Sequence, residues 1–215
     1  MKAVIFDMDG VIIDSEPLHQ KVEADLLREL GGEMTDEERK SFVGTTDYHL
    51  WSTVKEKFNL KHSVEELIQM KKDHFMAEIH TIPLVDGVKD VFNQLTDAGY
   101  LIALASSNNR QAVDKIIEQF DLEKYLELAM SGEDVEKGKP NPEIFLKTAE
   151  AMQVDPSECL VIEDARNGVI AAKRAGMKCI AFDNPNSGEQ NLSDADLILK
   201  DYENFDLSQV EKLFN

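Results

Sequence analysis

A chain of 215 residues has room for one large domain, or for a main domain with a smaller insert, and it can bury roughly 70% of the surface it would expose unfolded without any staple. Its 42 acidic residues against 23 basic ones leave a net charge of −19, which argues against nucleic acid or an anionic membrane as a partner. Any anionic substrate must then be met by local cations, backbone N–H groups or a metal.

Met1-Lys2 leads straight into a strand pattern, so no signal peptide is expected, and no apolar stretch approaches the roughly 18–20 residues that span a bilayer. The two cysteines, Cys159 and Cys179, form no C-x-x-C pattern and open apolar runs, so buried free thiols in a reducing, cytoplasmic setting are expected.

Ala3-Val4-Ile5-Phe6 is an apolar run of strand type, and Asp7-Met8-Asp9-Gly10 follows at once. Strand alternation puts Asp7 and Asp9 on one side. Two carboxylates so close repel, so a bound cation or a raised pKa must compensate them. Gly10 lets the chain turn at little steric cost. The competing reading of these residues alone is a solvated acidic turn after a strand.

From Ser15 to His80 the periodicity is helical, and no strand pattern interrupts it. Leu18, Val22, Leu26, Leu27 and Leu30 recur at helical spacing. Thr35-x-x-Glu38 and Ser63-x-x-Glu66 read as capping boxes. Phe42-Val43-Gly44-Thr45-Thr46-Asp47 reads as a small-residue loop between helices, and Trp51, Phe58 and Leu60 as packing residues. An all-helical insert over 15–80 is predicted, leaving 1–14 and 81–215 as one discontinuous core.

From Thr81 strands alternate with helices. Val88, Val91, Phe92 and Leu95 predict a helix ending at Ala98-Gly99, and Leu101–Ala105 a strand buried on both faces that stops at Ser106-Ser107-Asn108. A helix over Gln111–Phe120 and a weak strand over Leu126–Met130 come next. Asn141-Pro142 predicts a helix opening at Pro142 and running to Met152. Cys159–Ile162 reads as a strand closed by Glu163-Asp164. A helix over Gly168–Ala175, strands over Lys178–Phe182 and Leu197–Leu199, and a final helix over Leu207–Phe214 complete the pattern. The fold class is α/β: a Rossmann-like parallel sheet covered on both faces, with the helical insert after the first strand.

Ligands of such sheets bind beyond the carboxyl ends of the strands, where Asp7, Asp9, Ser106, Glu163 and Asp164 all fall. Four carboxylates make a hard oxygen pocket suited to Mg²⁺, with no His/Cys cluster for zinc. A hydroxyl (Ser106), a cation (Lys139) and a metal form a phosphate-binding set, and phosphoryl transfer needs mostly positioning and charge neutralisation.

Phe6-Asp7-Met8-Asp9-Gly10-Val11, Ala105-Ser106, Gly138-Lys139-Pro140 and Val161-Ile162-Glu163-Asp164 resemble, in order and at strand ends, the four motifs of the haloacid dehalogenase superfamily. The likeness covers the whole chain and is nearest the β-phosphoglucomutase-like phosphatases, whose cap domain the helical insert resembles. It implies that Asp7 attacks phosphorus and becomes aspartyl phosphate. Asp9 would be the general acid/base and lend its backbone carbonyl to Mg²⁺. Ser106 would bond a phosphoryl oxygen, with Ser107 and Asn108 close by, and Lys139 would pair with Asp7 and the phosphate. Asp164 would ligate Mg²⁺, with Glu163 bound directly or through water. Lys139, rather than Lys137, precedes the proline as the family's lysine does. Asp14 and Ser15 resemble the cap hinge. His19 resembles a cap residue facing the site, with a surface or packing histidine as the alternative, and Gly44, Thr45 and Thr46 fall in the cap loop.

Asp9 argues against dehalogenation, which needs no acid for its leaving group. The motif order does not match a receiver domain, and the Asp-Lys-Thr-Gly signature of ion-pumping ATPases is absent. The resembling sugar phosphomutases clamp a second phosphate with a cap-loop arginine, three residues after a glycine. That position here is Asp47. A carboxylate about 4 Å from a phosphate charge costs about 1 kcal/mol in water and about 4 kcal/mol at an effective dielectric of 20, the wrong sign for a clamp. Lys40, Lys71 and Lys72 remain as substitutes. A Mg²⁺-dependent monomeric phosphatase acting on a small sugar or polyol phosphate is therefore expected. The alternatives are a phosphomutase, an inorganic pyrophosphatase or a catalytically silent sensor of a phosphorylated metabolite.

Overall fold

The computed structural model describes residues 2–42 and 45–214. Contacts divide the chain into two compact units, Met1–Asp14 with Pro83–Asn215, and Ser15–Ile82.

The larger unit is a parallel sheet of β1 (Ala3–Phe6), β2 (Leu101–Ala105), β3 (Leu128–Met130), β4 (Cys159–Glu163), β5 (Lys178–Phe182) and β6 (Leu197–Leu199), in the order β3-β2-β1-β4-β5-β6. Residues of β1, β2, β4 and β5 are almost all buried, as continuous apolar runs in a sheet covered on both faces must be. Register decides where the polar residues emerge. Phe6 lies opposite Leu104 on one side and Ile162 on the other. Asp7, Ser106 and the pair Glu163-Asp164 therefore leave the sheet along one edge.

The helices of this unit are α5 (Val88–Asp97), α6 (Arg110–Phe120), α7 (Glu143–Met152), α8 (Arg166–Arg174) and α9 (Leu207–Leu213), the numbering continuing from the four helices of the other unit. The buried face of α5 is Val88, Val91, Phe92 and Leu95, and Phe92 meets Phe6 edge-on at 4.8 Å. Beneath the opposite face, Ile5, Val161, Phe145, Val169 and Cys179 share a buried cluster. Both cysteines are buried free thiols, and burial pushes their pKa values up.

The smaller unit holds α1 (Glu16–Glu29), α2 (Asp36–Phe42), α3 (Asp47–Phe58) and α4 (Val64–Glu78), and α4 packs against α1 and α3. Leu26, Leu27, Leu50, Trp51, Val54 and Leu67 are its core, with Phe58 and Leu60 against them. Both capping boxes form: Thr35 with Glu38, and Ser63 with Glu66. No helix among the described residues is long and apolar enough to cross a membrane.

Several boundaries move from their predicted places by one or more residues. The helical unit runs to Ile82, past His80, because α4 continues into a 3₁₀ turn over Ile79–Thr81 and the Ile82 N–H donates back to Ile79. Helix α7 opens at Glu143 because Asn141 accepts the Glu143 N–H and leaves Pro142 as the cap. Strand β3 loses Leu126 and Glu127 because the Leu126 N–H closes a turn onto Leu122.

Candidate active site

The turn after β1 is sunk into the core by its apolar members: Met8, Val11, Ile12 and Ile13 are all buried. It is closed by the Ile12 and Ile13 N–H groups donating to Met8 O at 2.8 and 3.0 Å and by Gly10 N–H donating to Ile13 O at 2.7 Å. Burying four apolar side chains, at roughly 1.5–3 kcal/mol each, holds the acidic residues between them in place. Asp7 continues the ladder, its N–H donating to Ile162 O at 2.9 Å. Its side chain is 9% exposed.

Lys139, whose side chain is 7% exposed, reaches Asp7 Oδ1 at 2.5 Å, Glu163 Oε1 at 2.9 Å and Ala105 O at 3.2 Å. It thereby joins the ends of β1, β2 and β4. The Lys139-Pro140 peptide is cis. Lys137 is exposed.

Asn108 Nδ2 donates to Asp9 Oδ2 at 2.5 Å, and the Asn108 N–H donates to the Oγ of fully buried Ser106 at 3.1 Å. Asp164, 8% exposed, accepts the hydroxyl of Ser187. Ser107 is exposed, and its carbonyl lies where a side chain on Gly132 would stand.

The electrostatics follow from crowding. Burial raises the Asp7 pKa to about 7, Lys139 opposes the rise, and Glu163 and Asp9 add to it. Burial and then Glu163 and Asp7 push Asp164 well above the carboxylate range. Burial alone would lower Lys139, but Asp7 and Glu163 outweigh it and hold the ammonium above its ordinary value.

Four carboxylates thus crowd one another, two of them, Asp7 and Glu163, on the Lys139 ammonium, and this all-oxygen donor set suits a hard divalent cation. No group of three or more His, Cys, Asp or Glu side chains among the described residues is arranged to hold a metal. The expected set is the side chains of Asp7 and Asp164 with the backbone carbonyl of Asp9. Glu163, expected at the metal directly or through water, has partners within the protein. Oε1 is held by Lys139, and Oε2 accepts the Ala165 N–H at 2.7 Å, so both oxygens are engaged by the protein. Its observed role is to hold Lys139 and the opening of α8.

The residues expected in the helical insert have local partners. His19 stacks on Phe75 at 4.3 Å, and burial and then Lys71 lower its pKa to about 3, so the ring is neutral. Thr46 caps α3, accepting from His49 N–H at 3.2 Å, and Thr45 Oγ1 donates to Phe42 O at 2.7 Å. Gly44 lies outside the described residues, as does the Lys40 side chain. Lys71 is buried, 2.7 Å from Asp47 and 3.6 Å from Glu23.

Some neighbours of the site were not among its predicted residues. Asn184, Asn186 and Ser187 form the segment after β5. Their only sequence signal is a polar cluster, Asp183-Asn184-Pro185-Asn186-Ser187, at a strand's carboxyl end. Gly168 abuts Glu163: a Cβ there would stand 1.6 Å from Oε1.

Residues 4–182 match the model of the haloacid dehalogenase-like hydrolases. The chain belongs to that family. It is 35% identical over 197 residues to a Bacillus subtilis protein provisionally named phosphatase YhcW, covering 91% of this chain and 90% of that one. It is 32% identical over 190 residues to hexitol phosphatase B of Escherichia coli K12, covering 85% and 84%. The crystal structure of β-phosphoglucomutase from Clostridium difficile superposes with a TM-score of 0.79 at 24% identity, over 100% of this chain and 97% of that one, a likeness of fold. This haloacid dehalogenase-like hydrolase is a phosphohydrolase by its family and its phosphatase-named relatives.

Proposed function

We propose that the protein is a Mg²⁺-dependent phosphatase that hydrolyses a small sugar or polyol phosphate through a phosphoryl group carried on Asp7. The observation that carries the reading is Lys139 seated between Asp7 and Glu163, with Asn108 joining Asp9 to Ser106.

In the first half-reaction an Asp7 oxygen bonds to phosphorus as the bond to the leaving oxygen breaks, and protonated Asp9 gives its proton to that oxygen. In the second half-reaction Asp9 takes a proton from water. The water oxygen bonds to phosphorus, and the bond to Asp7 breaks, returning the carboxylate and inorganic phosphate. Lys139 and the Ser106 hydroxyl neutralise and orient the phosphoryl oxygens, and Asn108 aims Asp9. Asp7, Asp164 and the Asp9 carbonyl would hold Mg²⁺, which would offset the crowded carboxylates and the phosphate charge. The helical unit serves as the cap that sets specificity.

Hydrolysis, rather than mutase chemistry, is supported by the partners of Lys71. Asp47, 2.7 Å away, neutralises it within the helical unit, so it is not free to clamp a second phosphate. A substrate with one phosphate and an uncharged hydroxylated remainder fits, in keeping with the hexitol phosphatase relative. The same reading has a monomer working in the cytoplasm on a small metabolite, a surface of net charge −19 disfavouring nucleic acid and anionic membrane.

The test is phosphate release from a panel of sugar and polyol phosphates with and without Mg²⁺. Metal-dependent release from some of them is expected. Conversion of β-glucose 1-phosphate into glucose 6-phosphate without phosphate release would replace this reading with the mutase.

A further inference from the structure

Residues 183–190, between β5 and β6, lie at the edge of the sheet where Asp7 and Asp164 emerge. Four of their side chains, Asn184, Asn186, Ser187 and Gln190, bond to other parts of the chain. Asn184 is buried and uses both ends: its Oδ1 accepts the Asn186 N–H at 2.8 Å, and its Nδ2 donates to Gly10 O at 2.9 Å. Asn186 Nδ2 donates to Asp14 Oδ2 at 2.7 Å. Ser187 Oγ donates to Asp164 Oδ2. Gln190 closes the segment, its Nε2 donating to Ser187 O at 3.0 Å and its Oε1 accepting the Arg166 N–H at the start of α8 at 3.2 Å.

The fit is close enough to exclude a methyl group. A Cβ on Gly10, whose φ is +71°, would stand 2.0 Å from Asp164 Oδ2 and 2.8 Å from Ser187 Oγ. Three segments far apart in sequence therefore meet at one point: the acidic turn, the end of β4 and the segment after β5.

We propose that 183–190 is a positioning strap in which Ser187 orients the Asp164 carboxylate for a divalent cation while Asn184 and Asn186 fix the turn from Gly10 to Asp14. The hydroxyl engages Oδ2, one of the two carboxylate oxygens, and so restricts the carboxylate's rotation. Groups that orient a metal ligand from behind typically change metal affinity or activity by roughly 10- to 100-fold when removed. Ser187 is a positioning residue, acting on the cation through Asp164. The inference rests on the metal-dependent reading above for its cation, and its test does not need turnover.

The experiment is Mn²⁺ binding to the full-length protein, followed by the loss of the free-ion electron paramagnetic resonance signal, for wild type, Ser187→Ala, Ser187→Thr and Asn186→Ala. Ser187→Ala is expected to weaken Mn²⁺ binding about 10-fold or more, Ser187→Thr to restore it to within about threefold, and Asn186→Ala, which keeps the hydroxyl on Asp164, to change it less than Ser187→Ala does. Circular dichroism on the same samples is expected to show a folded Ser187→Ala. Wild-type Mn²⁺ affinity in Ser187→Ala, or equal losses in Ser187→Ala and Ser187→Thr, would overturn the strap. If wild type binds Mn²⁺ but releases no phosphate from any panel substrate, the phosphatase reading fails while the strap is still decided by the variants.

Discussion

Gly168→Ala is a conservative change on a helix, and helix propensity alone would make it stabilising by about 1 kcal/mol. The structure reverses the sign. Gly168 lies in the first turn of α8, and its missing side chain is the space in which the Glu163 carboxylate sits. A Cβ would stand 1.6 Å from Oε1, 1.8 Å from Cδ and 2.5 Å from Oε2, so the carboxylate must leave. Leaving breaks the 2.9 Å bond to Lys139 and the 2.7 Å bond from Ala165 N–H, in a residue only 2% exposed. Stranding one partner of a buried ion pair costs roughly 3–5 kcal/mol. After the propensity gain the net loss is about 2–4 kcal/mol. At roughly 2–4 °C per kcal/mol for a chain of this size, Tm should fall by about 5–15 °C by calorimetry. Lys139 loses its second anchor, and phosphate release should fall as well. A double-mutant cycle isolates the cause: added to Glu163→Ala, the glycine change should cost nothing, because the overlap is gone. A Gly168→Ala protein as stable as wild type would refute the reasoning, and so would a full additive penalty in the double variant.

Other outcomes follow from the same geometry. Lys139→Met keeps the length of the side chain but removes the charge between Asp7 and Glu163, and phosphate release should fall by about 10²–10³-fold; a loss under threefold would remove Lys139 from the chemistry. In the helical unit, two buried groups have opposite pH linkage. Glu23, raised to about 7 by burial, binds its proton more tightly folded than unfolded, so its contribution to stability falls as pH rises from about 4.5 to 7. His19, lowered to about 3, binds its proton more tightly unfolded, so its contribution grows as pH rises from about 3 to 6.5. Between pH 4.5 and 6.5 the two oppose each other. Glu23→Gln should therefore make Tm climb more steeply with pH than in wild type across that window, and His19→Gln should make it climb less. Unchanged slopes in both would show that neither group is perturbed.

How much could be read from the residues depended on how local the cause was. The buried strands were legible because a parallel sheet covered on both faces demands apolar runs, and Leu101–Ala105 and Cys159–Ile162 contain little else. The capping boxes at Thr35 and Ser63 were legible because both partners lie within one turn. The opening of α7 was misplaced by one residue because Asn141 can serve either of two neighbouring N–H groups, and only the built turn chooses Glu143. The strap after β5 was not legible at all. Asn184 and Asn186 find Gly10 and Asp14 across more than 170 positions, and no local pattern announces such pairings. Nor could spacing show that Glu163 gives one oxygen to Lys139 and the other to Ala165, since that depends on β4 lying beside β1 and on a glycine at 168.

The most direct test of the central claim is to find where the phosphoryl group goes. Wild type and Asp7→Asn would be mixed with a panel substrate and Mg²⁺, quenched in acid within a single turnover, and their peptides mapped by mass. The expected result is a phosphoryl adduct on the peptide bearing Asp7 in wild type, decaying as inorganic phosphate appears, with neither adduct nor phosphate from Asp7→Asn. An adduct on a different residue, or phosphate released by Asp7→Asn at the wild-type rate, would contradict it.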